Sequence, residues 1–262
     1  MTDVERIQVI AAEAMVEDFL GEGPLSASPE TPCPYLPDRL ATSEGFIVKG
    51  ELSGPLHQAF INRGFRRSGK VIYRPRCAGC QLCIPIRVPI ATFKPTRSMR
   101  RVWRHNSDIR VAAGPGHPTE AAHALYARYL VEQHDGTMSP AYEDFAAFLY
   151  GSPAPTEEWH YFAGQRLVGV SYLDRLPDGL SSVYMFFDPD EGQRSLGTYS
   201  VLAEIEDCRA RGLAYYYLGY YVPGSRTMAY KARFRPAEIL DASGEWQPLQ
   251  DAELEHFQSD SC

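Results

Sequence analysis

The sequence predicts an α+β fold in two parts, a smaller basic and cysteine-containing part over residues 1–113 and a larger part over residues 114–262. Three observations carry the prediction. Apolar residues recur at helical spacing in some segments and form short strand-like runs in others. The cluster Gly114-Pro115-Gly116-His117-Pro118 interrupts the chain near its middle, where it predicts a linker. Charge is also unevenly divided: twelve of the 26 basic residues and no acid lie between Arg63 and Arg104, leaving 14 basic residues against 33 acids, or −19, elsewhere.

Taken in order, Val4, Ile7, Ala11, Ala14 and Met15 predict an amphipathic helix ending near Gly21, followed by a loop over Gly21 to Pro37. Pro55 to Arg63 predicts a short helix stopped by Gly64. Lys70 to Tyr73 and Ile84 to Val88 predict strands around a cysteine turn, and Phe93 to Arg104 runs from loop into a basic helix. Beyond the linker, Thr119 caps a helix to His134 and a second helix spans Tyr142 to Tyr150. Strands follow at His160 to Ala163, Leu167 to Leu173 and Val183 to Phe187. A helix from Ser195 to Arg211 ends at Gly212, and Ala214 to Leu218 is a buried strand.

A chain of 262 residues with 44% hydrophobic and 23% charged content is neither disordered nor collagenous. No run approaches the roughly 18 apolar residues of a membrane span. The first twenty residues mix acids among apolar positions, which predicts a cytoplasmic protein that is not exported. The basic window has the footprint of phosphate contacts, and its excess of Arg over Lys suits bidentate recognition of an RNA backbone. Arg66, Arg67, Arg74, Arg76, Arg97, Arg100, Arg101 and Arg104 are the candidate RNA ligands. Twelve like charges in one stretch need compensation, either by acids from elsewhere in the fold or by a polyanionic partner.

Cys33, Cys77, Cys80 and Cys83 either ligate zinc or an iron-sulfur cluster or serve as thiols that pack or sense oxidant. Gln193 to Thr198 opens a helix, which is either capped by Ser195 or aimed at a phosphate.

The order of helix, helix, three meandering strands, helix and strand is that of acyltransferases of the GCN5-related type. Several strings make the resemblance more specific. Cys33-Pro34-Tyr35-Leu36-Pro37, Arg63 to Gly69, Cys77 to Arg87 and Lys94 to Arg101 resemble bacterial aspartate/glutamate leucyltransferases, relatives of the arginyl-tRNA-protein transferases. Ser195 to Tyr199, Tyr217 to Gly224 and Met228 to Pro236 are similar to the acyltransferase half of that family.

The resemblance covers roughly Pro32 to Leu240. It implies transfer of leucine from leucyl-tRNA to the N-terminal α-amine of proteins beginning with Asp or Glu, marking them for N-end rule degradation. No cofactor is required for that chemistry, because the ester is already activated. Attack by an amine requires a neutral nucleophile, an aligned carbonyl and a donor to the oxyanion. Tyr220 and Tyr221 are the candidates to donate to the oxyanion or orient the amine, while Asp188 either orders the amine or accepts its proton, or else caps a turn. Lys231 and Arg233 are the candidates for reading the acceptor's carboxylate, since choosing Asp over Asn demands a cation. Two other readings compete: a non-catalytic RNA-binding protein with a metal knuckle, and a small-molecule N-acetyltransferase.

Overall fold

The computed structural model describes residues 2–23, 25–133 and 138–250. Its frame is an eight-stranded mixed sheet built from β7 (Ile84–Pro89), β8 (Ile109–Gly114), β9 (Thr156–Ala163), β10 (Arg166–Arg175), β11 (Gly179–Phe187), β12 (Tyr215–Tyr221), β13 (Glu238–Leu240) and β14 (Trp246–Pro248). The spatial order is β14-β13-β7-β12-β11-β10-β9-β8. A four-stranded sheet, ordered β1-β4-β6-β5, joins β1 (Ser26–Ala27), β4 (Ser43–Ile47), β5 (Arg66–Ser68) and β6 (Val71–Pro75); β2 (Thr31–Pro32) and β3 (Leu40–Ala41) form a separate pair.

Helices cover both faces of the large sheet. On β10, Val170 and Tyr172 face one way, into a core with Leu125 and Tyr126 of α4 (Glu120–Gln133) and Phe145 of α5 (Tyr142–Leu149). Thr119 caps α4, its hydroxyl accepting from Ala122 N at 3.1 Å. Leu173 faces the other way, into a core with Leu202 and Ile205 of α6 (Leu196–Ala210) and Met99 of α3 (Arg97–His105). The alternation is the two-residue period of a strand.

The N-terminal elements pack around a second core. Phe60 of α2 (Gly54–Asn62) and Phe46 meet at 5.1 Å between ring centroids, and Phe19 of α1 (Asp3–Glu22) lies 4.9 Å from Phe46. Here the structure corrects the expected face of α1. Val4, Ile7, Ala11, Ala14 and Met15 are not buried, whereas Val9, Ala12 and Val16 are. The helix carries two apolar stripes, and contact with α2 selects the one that periodicity did not single out.

The linker is corrected too. Residues 114–118 do not separate two bodies, because β7 and β8, both from the first 114 residues, are strands of the large sheet and β7 pairs with β12 along its length. Glycine and proline there mark a chain reversal between β8 and α4.

Candidate active site

Chain geometry creates a gap in the large sheet. The parallel neighbours β11 and β12 pair only at Gly179–Tyr215, Leu180–Tyr216 and Ser181–Tyr217. Beyond Ser181, β12 stays with β7 while β11 stays with β10. A bulge at Leu218, with Gly219 at φ 87°, bends β12 where the strands part. Among the described residues no ladder pair joins β11 and β12 past this point, so facing backbone groups are left for a ligand or water to satisfy.

Two cations stand over the head of the gap. Arg66, on β5 just after the turn at Gly64, donates from Nη1 to Ser181 Oγ at 2.7 Å and from Nη2 to the carbonyl of Ser182. Lys231, in the short helical turn Ala229–Arg233, is buried. A Cβ built on Gly219 would lie 3.5 Å from Arg66 Nη2 and 3.5 Å from Lys231 Nζ, so the two charged heads are within about 7 Å of each other. Gly219 thus leaves open the space between them. Burial, and then the positive charge of Arg66, push the Lys231 ammonium down to about 7, and among the described residues neither cation forms an ion pair with a carboxylate. A buried Lys231 beside a half-buried Arg66 with no anion between them is costly, and binding a carboxylate relieves that cost.

The other candidate catalytic groups are committed elsewhere. Tyr220 donates its hydroxyl to the Gly64 carbonyl at 2.7 Å, so it is unavailable to an oxyanion. Tyr221 is buried among core side chains on the α6 side of the sheet. Asp188 is buried and bridges Arg128 at 2.9 Å and Arg166 at 2.5 Å, while accepting from Asp190 N at 3.2 Å. It anchors the turn Pro189–Arg194, which is the capping alternative. Arg233 is exposed at the end of its turn, away from the buried position of Lys231. Ser195 makes no side-chain cap on α6 and sits in the left-handed region at φ 54°.

The fold divides the basic run. Arg67 is buried and bidentate to Asp174, with both contacts at 2.7 Å, which removes it from any docking face. Arg74 and Arg76 both reach Glu44 Oε1, at 2.6 and 2.9 Å, so much of their charge is already answered. Arg66 belongs to the gap. Arg97, Arg100, Arg101 and Arg104 remain, all exposed on α3, a helix with no acid. That helix lies against α6, where Trp103 and Tyr199 meet at 5.5 Å, and Asn106 Nδ2 donates to the Arg194 carbonyl at 2.8 Å. The cationic face therefore runs beside the start of α6.

Cys33, Cys77, Cys80 and Cys83 line one cavity of about 200 Å³ with Leu36, Leu82, Tyr73, Tyr220 and Val222. The expectation of a four-thiolate metal set is not supported: among the described residues no three of His, Cys, Asp or Glu are placed to hold a metal ion. Cys77 Sγ instead lies 3.5 Å from both the N and O of Thr42, and Cys80 Sγ accepts from Arg39 at 3.5 Å. Burial, and then the neighbouring Cys77, Cys33 and Cys80, push the Cys83 thiol up to about 12.

Sequence reasoning missed Arg66 as a gap residue and missed Glu204 altogether. Glu204 is buried on α6, where its Oε1 accepts from Ser171 at 2.7 Å and Tyr161 at 2.8 Å and its Oε2 accepts from Tyr216. The available signal was one acid in an otherwise apolar stretch, Tyr199 to Ile205, of a predicted helix.

An antiparallel meander, a helix and a parallel strand that parts from its neighbour define an α+β fold of the GCN5-related acyltransferase type. Comparison with known proteins narrows the class. Family models described as the N terminus and C terminus of arginine-tRNA-protein transferase match residues 31–101 and 121–241. The chain is 40% identical over 216 residues to the aspartate/glutamate leucyltransferase of Hahella chejuensis, covering 82% of this chain and 92% of that one. It is 42% identical over 221 residues to the enzyme of the same name from Gluconacetobacter diazotrophicus, covering 83% and 85%. The chain belongs to the aspartate/glutamate leucyltransferase family and is an aminoacyltransferase. Among solved structures, FemX shares the fold at 8% identity with a TM-score of 0.50, covering 98% of each chain. No helix among the described residues is long and apolar enough to cross a membrane.

Proposed function

We propose that this protein moves leucine from leucyl-tRNA to the α-amine of proteins that begin with Asp or Glu, with Arg66 and Lys231 reading the acceptor's side-chain carboxylate. The observation that carries the assignment of roles is the carboxylate-free pair of cations at the head of the gap, a buried Lys231 beside a half-buried Arg66. An acidic side chain seated there places its own α-amine beside the parted strands. The ester carbonyl, lying in the gap, would meet backbone donors of β11 and β12 as negative charge develops on its oxygen. The amine nitrogen bonds to the leucyl carbonyl carbon, the ester bond to the ribose breaks, and the ribose oxygen leaves with a proton. No cofactor enters this balance. The cytoplasm, and N-end rule degradation of the product, fit the reading as its setting and consequence.

The RNA is held on α3. Its four exposed arginines lack acidic neighbours within the helix and run toward the N-terminal end of α6, where no side chain caps the backbone N–H groups. Replacing Arg100 and Arg101 by Glu should weaken tRNA binding by at least about 100-fold near 100 mM salt and flatten its salt dependence, with the melting temperature unchanged. Equal affinity at low salt would remove this helix from the docking face. The assignment of substrates is tested by offering leucyl-, arginyl- and phenylalanyl-tRNA to peptides beginning with Asp, Glu, Asn or Ala. Transfer confined to leucine on Asp and Glu supports it, and equal transfer to Asn overturns the carboxylate reading.

A further inference from the structure

The arginine face of α3 carries one feature that charge does not explain. Four aromatic residues lie within the basic run from Arg63 to Arg104, namely Phe65, Tyr73, Phe93 and Trp103. The fold takes three of them inward. Phe65 and Phe93 are buried, and Tyr73 packs against the cluster of Leu36, Leu82, Tyr220 and Val222. Trp103 stays 41% exposed, an unfavourable place for a large apolar surface.

Its position on the helix is specific. With about 3.6 residues per turn, Arg97, Arg100, Arg101 and Arg104 share the outer side of α3, whereas Met99 turns inward and is buried. Trp103 stands between the two sides and, three residues after Arg100, beside it. One side of the indole rests on Tyr199, with ring centroids 5.5 Å apart and planes at 40°. Tyr199 belongs to the first turn of α6, and a Cβ built on Gly197 in that turn would lie 3.9 Å from Phe187, the last residue of β11. Past Ser181, β11 is one wall of the gap. Contacts therefore lead from the basic side of α3 through Trp103, Tyr199 and the first turn of α6 to the end of that wall.

An RNA held by these arginines still has to deliver its esterified ribose to the gap. Paired bases stack on one another inside a duplex, while unpaired bases present free ring faces to aromatic side chains. An indole beside guanidinium groups matches that chemistry, because the cations attract the phosphates and the ring takes a base.

We propose that Trp103 is a stacking platform for a base of the unpaired 3′ end of the aminoacylated RNA, and so leads that end from α3 toward the gap. This rests on the reading that α3 docks the RNA. The contact reads no sequence, since every base has a ring face to offer.

The experiment measures equilibrium binding of uncharged leucine tRNA, intact and with its unpaired 3′ nucleotides removed, to wild type, Trp103→Ala, Trp103→Phe and the double variant Arg100→Glu, Arg101→Glu. Trp103→Ala should bind the intact RNA roughly tenfold more weakly and the trimmed RNA as wild type does, and Trp103→Phe should recover most of the loss. The salt dependence of Trp103→Ala should match that of wild type, because stacking releases no counterions. Fluorescence of the wild type carries the test should Trp103→Ala fail to fold. The intact RNA should quench it and the trimmed RNA should not, and Trp103→Phe, which keeps the buried Trp159 and the Arg87-stacked Trp246, should lose the quenching. An equal loss of affinity for both RNAs, the mark of a role confined to packing α3 on α6, overturns the platform, as does the absence of loss or of quenching. Failure of the α3 reading appears separately, as unchanged affinity of the double arginine variant for both RNAs.

Discussion

Lys231→Met should raise the KM for a peptide beginning with Asp by roughly 100-fold, about 3 kcal/mol, and leave that for a peptide beginning with Asn nearly unchanged. The magnitude is that of removing one partner from a desolvated, charge-assisted contact. Methionine keeps most of the buried volume, so the change isolates the charge. The effect carries a pH signature. Because burial and Arg66 lower the Lys231 ammonium to about 7, the free enzyme holds the needed charge below that pH and loses it above. The wild-type KM for Asp peptides should therefore climb between pH 7 and 9, and that of Lys231→Met should stay flat. Initial-rate kinetics across that range decide it, and a flat wild-type curve would exclude Lys231 from carboxylate binding.

Stability moves the opposite way. An unfolded lysine titrates near 10.4, so the folded state carries the full cost of the buried ammonium below pH 7, and the cost fades between pH 7 and 10.4. Lys231→Met should melt higher than wild type at pH 6, with the difference closing by pH 10. A residue that destabilises the fold while serving the substrate is an expected compromise at a site.

The second large effect is structural. Arg67→Ala should destabilise the protein by roughly 3–5 kcal/mol, lowering the melting temperature by about 10 °C. The change strands Asp174, whose side chain is 1% exposed and which otherwise holds Arg67 through two 2.7 Å contacts and accepts from Thr156 at 2.8 Å. His57 Nε2 stands 3.6 Å from Asp174, but burial lowers its imidazole to about 4, so in the wild type Arg67 is the charged partner near neutral pH.

Burial acts to raise the Asp174 carboxyl, but the charge of Arg67 holds it below the ordinary range. In the wild type this contribution is present above the unfolded carboxylate's pKa and lost as pH falls through the lower folded value. Without Arg67 burial prevails and the carboxyl rises, so the deficit should be greatest at neutral pH and shrink toward pH 4. Thermal melts at pH 4, 5 and 7 check this, and a deficit independent of pH would assign the loss to packing. Arg67→Met combined with Asp174→Leu should recover most of the stability, since neither charge is then left unpartnered.

Much of the fold is legible in local pattern. The turn at Gly64, the cap at Thr119, the close of α6 near Gly212 and five strands of the large sheet, β7 and β9 to β12, follow from turn chemistry and periodicity over a few residues, whereas β8, β13 and β14 are not anticipated. What local pattern cannot supply is the choice between equivalent faces. Two stripes of α1 are apolar, and only the position of α2 decides which is buried. Nor can it tell a linker from a reversal, since glycine and proline mark both.

The site divides along the same line. The residues of the chain alone determined that this is an α+β acyltransferase of a recognisable kind, that its cations cluster, and that α3 is a basic helix without acids. Only the tertiary structure decided which of those cations are available. Arg67 is answered by Asp174, Arg74 and Arg76 share Glu44, and Arg87 meets Glu238, while the four arginines of α3 stay exposed and Arg66 stands beside Lys231 over Gly219. The physical reason is that Coulomb attraction and desolvation depend on separation in space, and an arginine's partner can stand 151 residues away, as Glu238 does from Arg87.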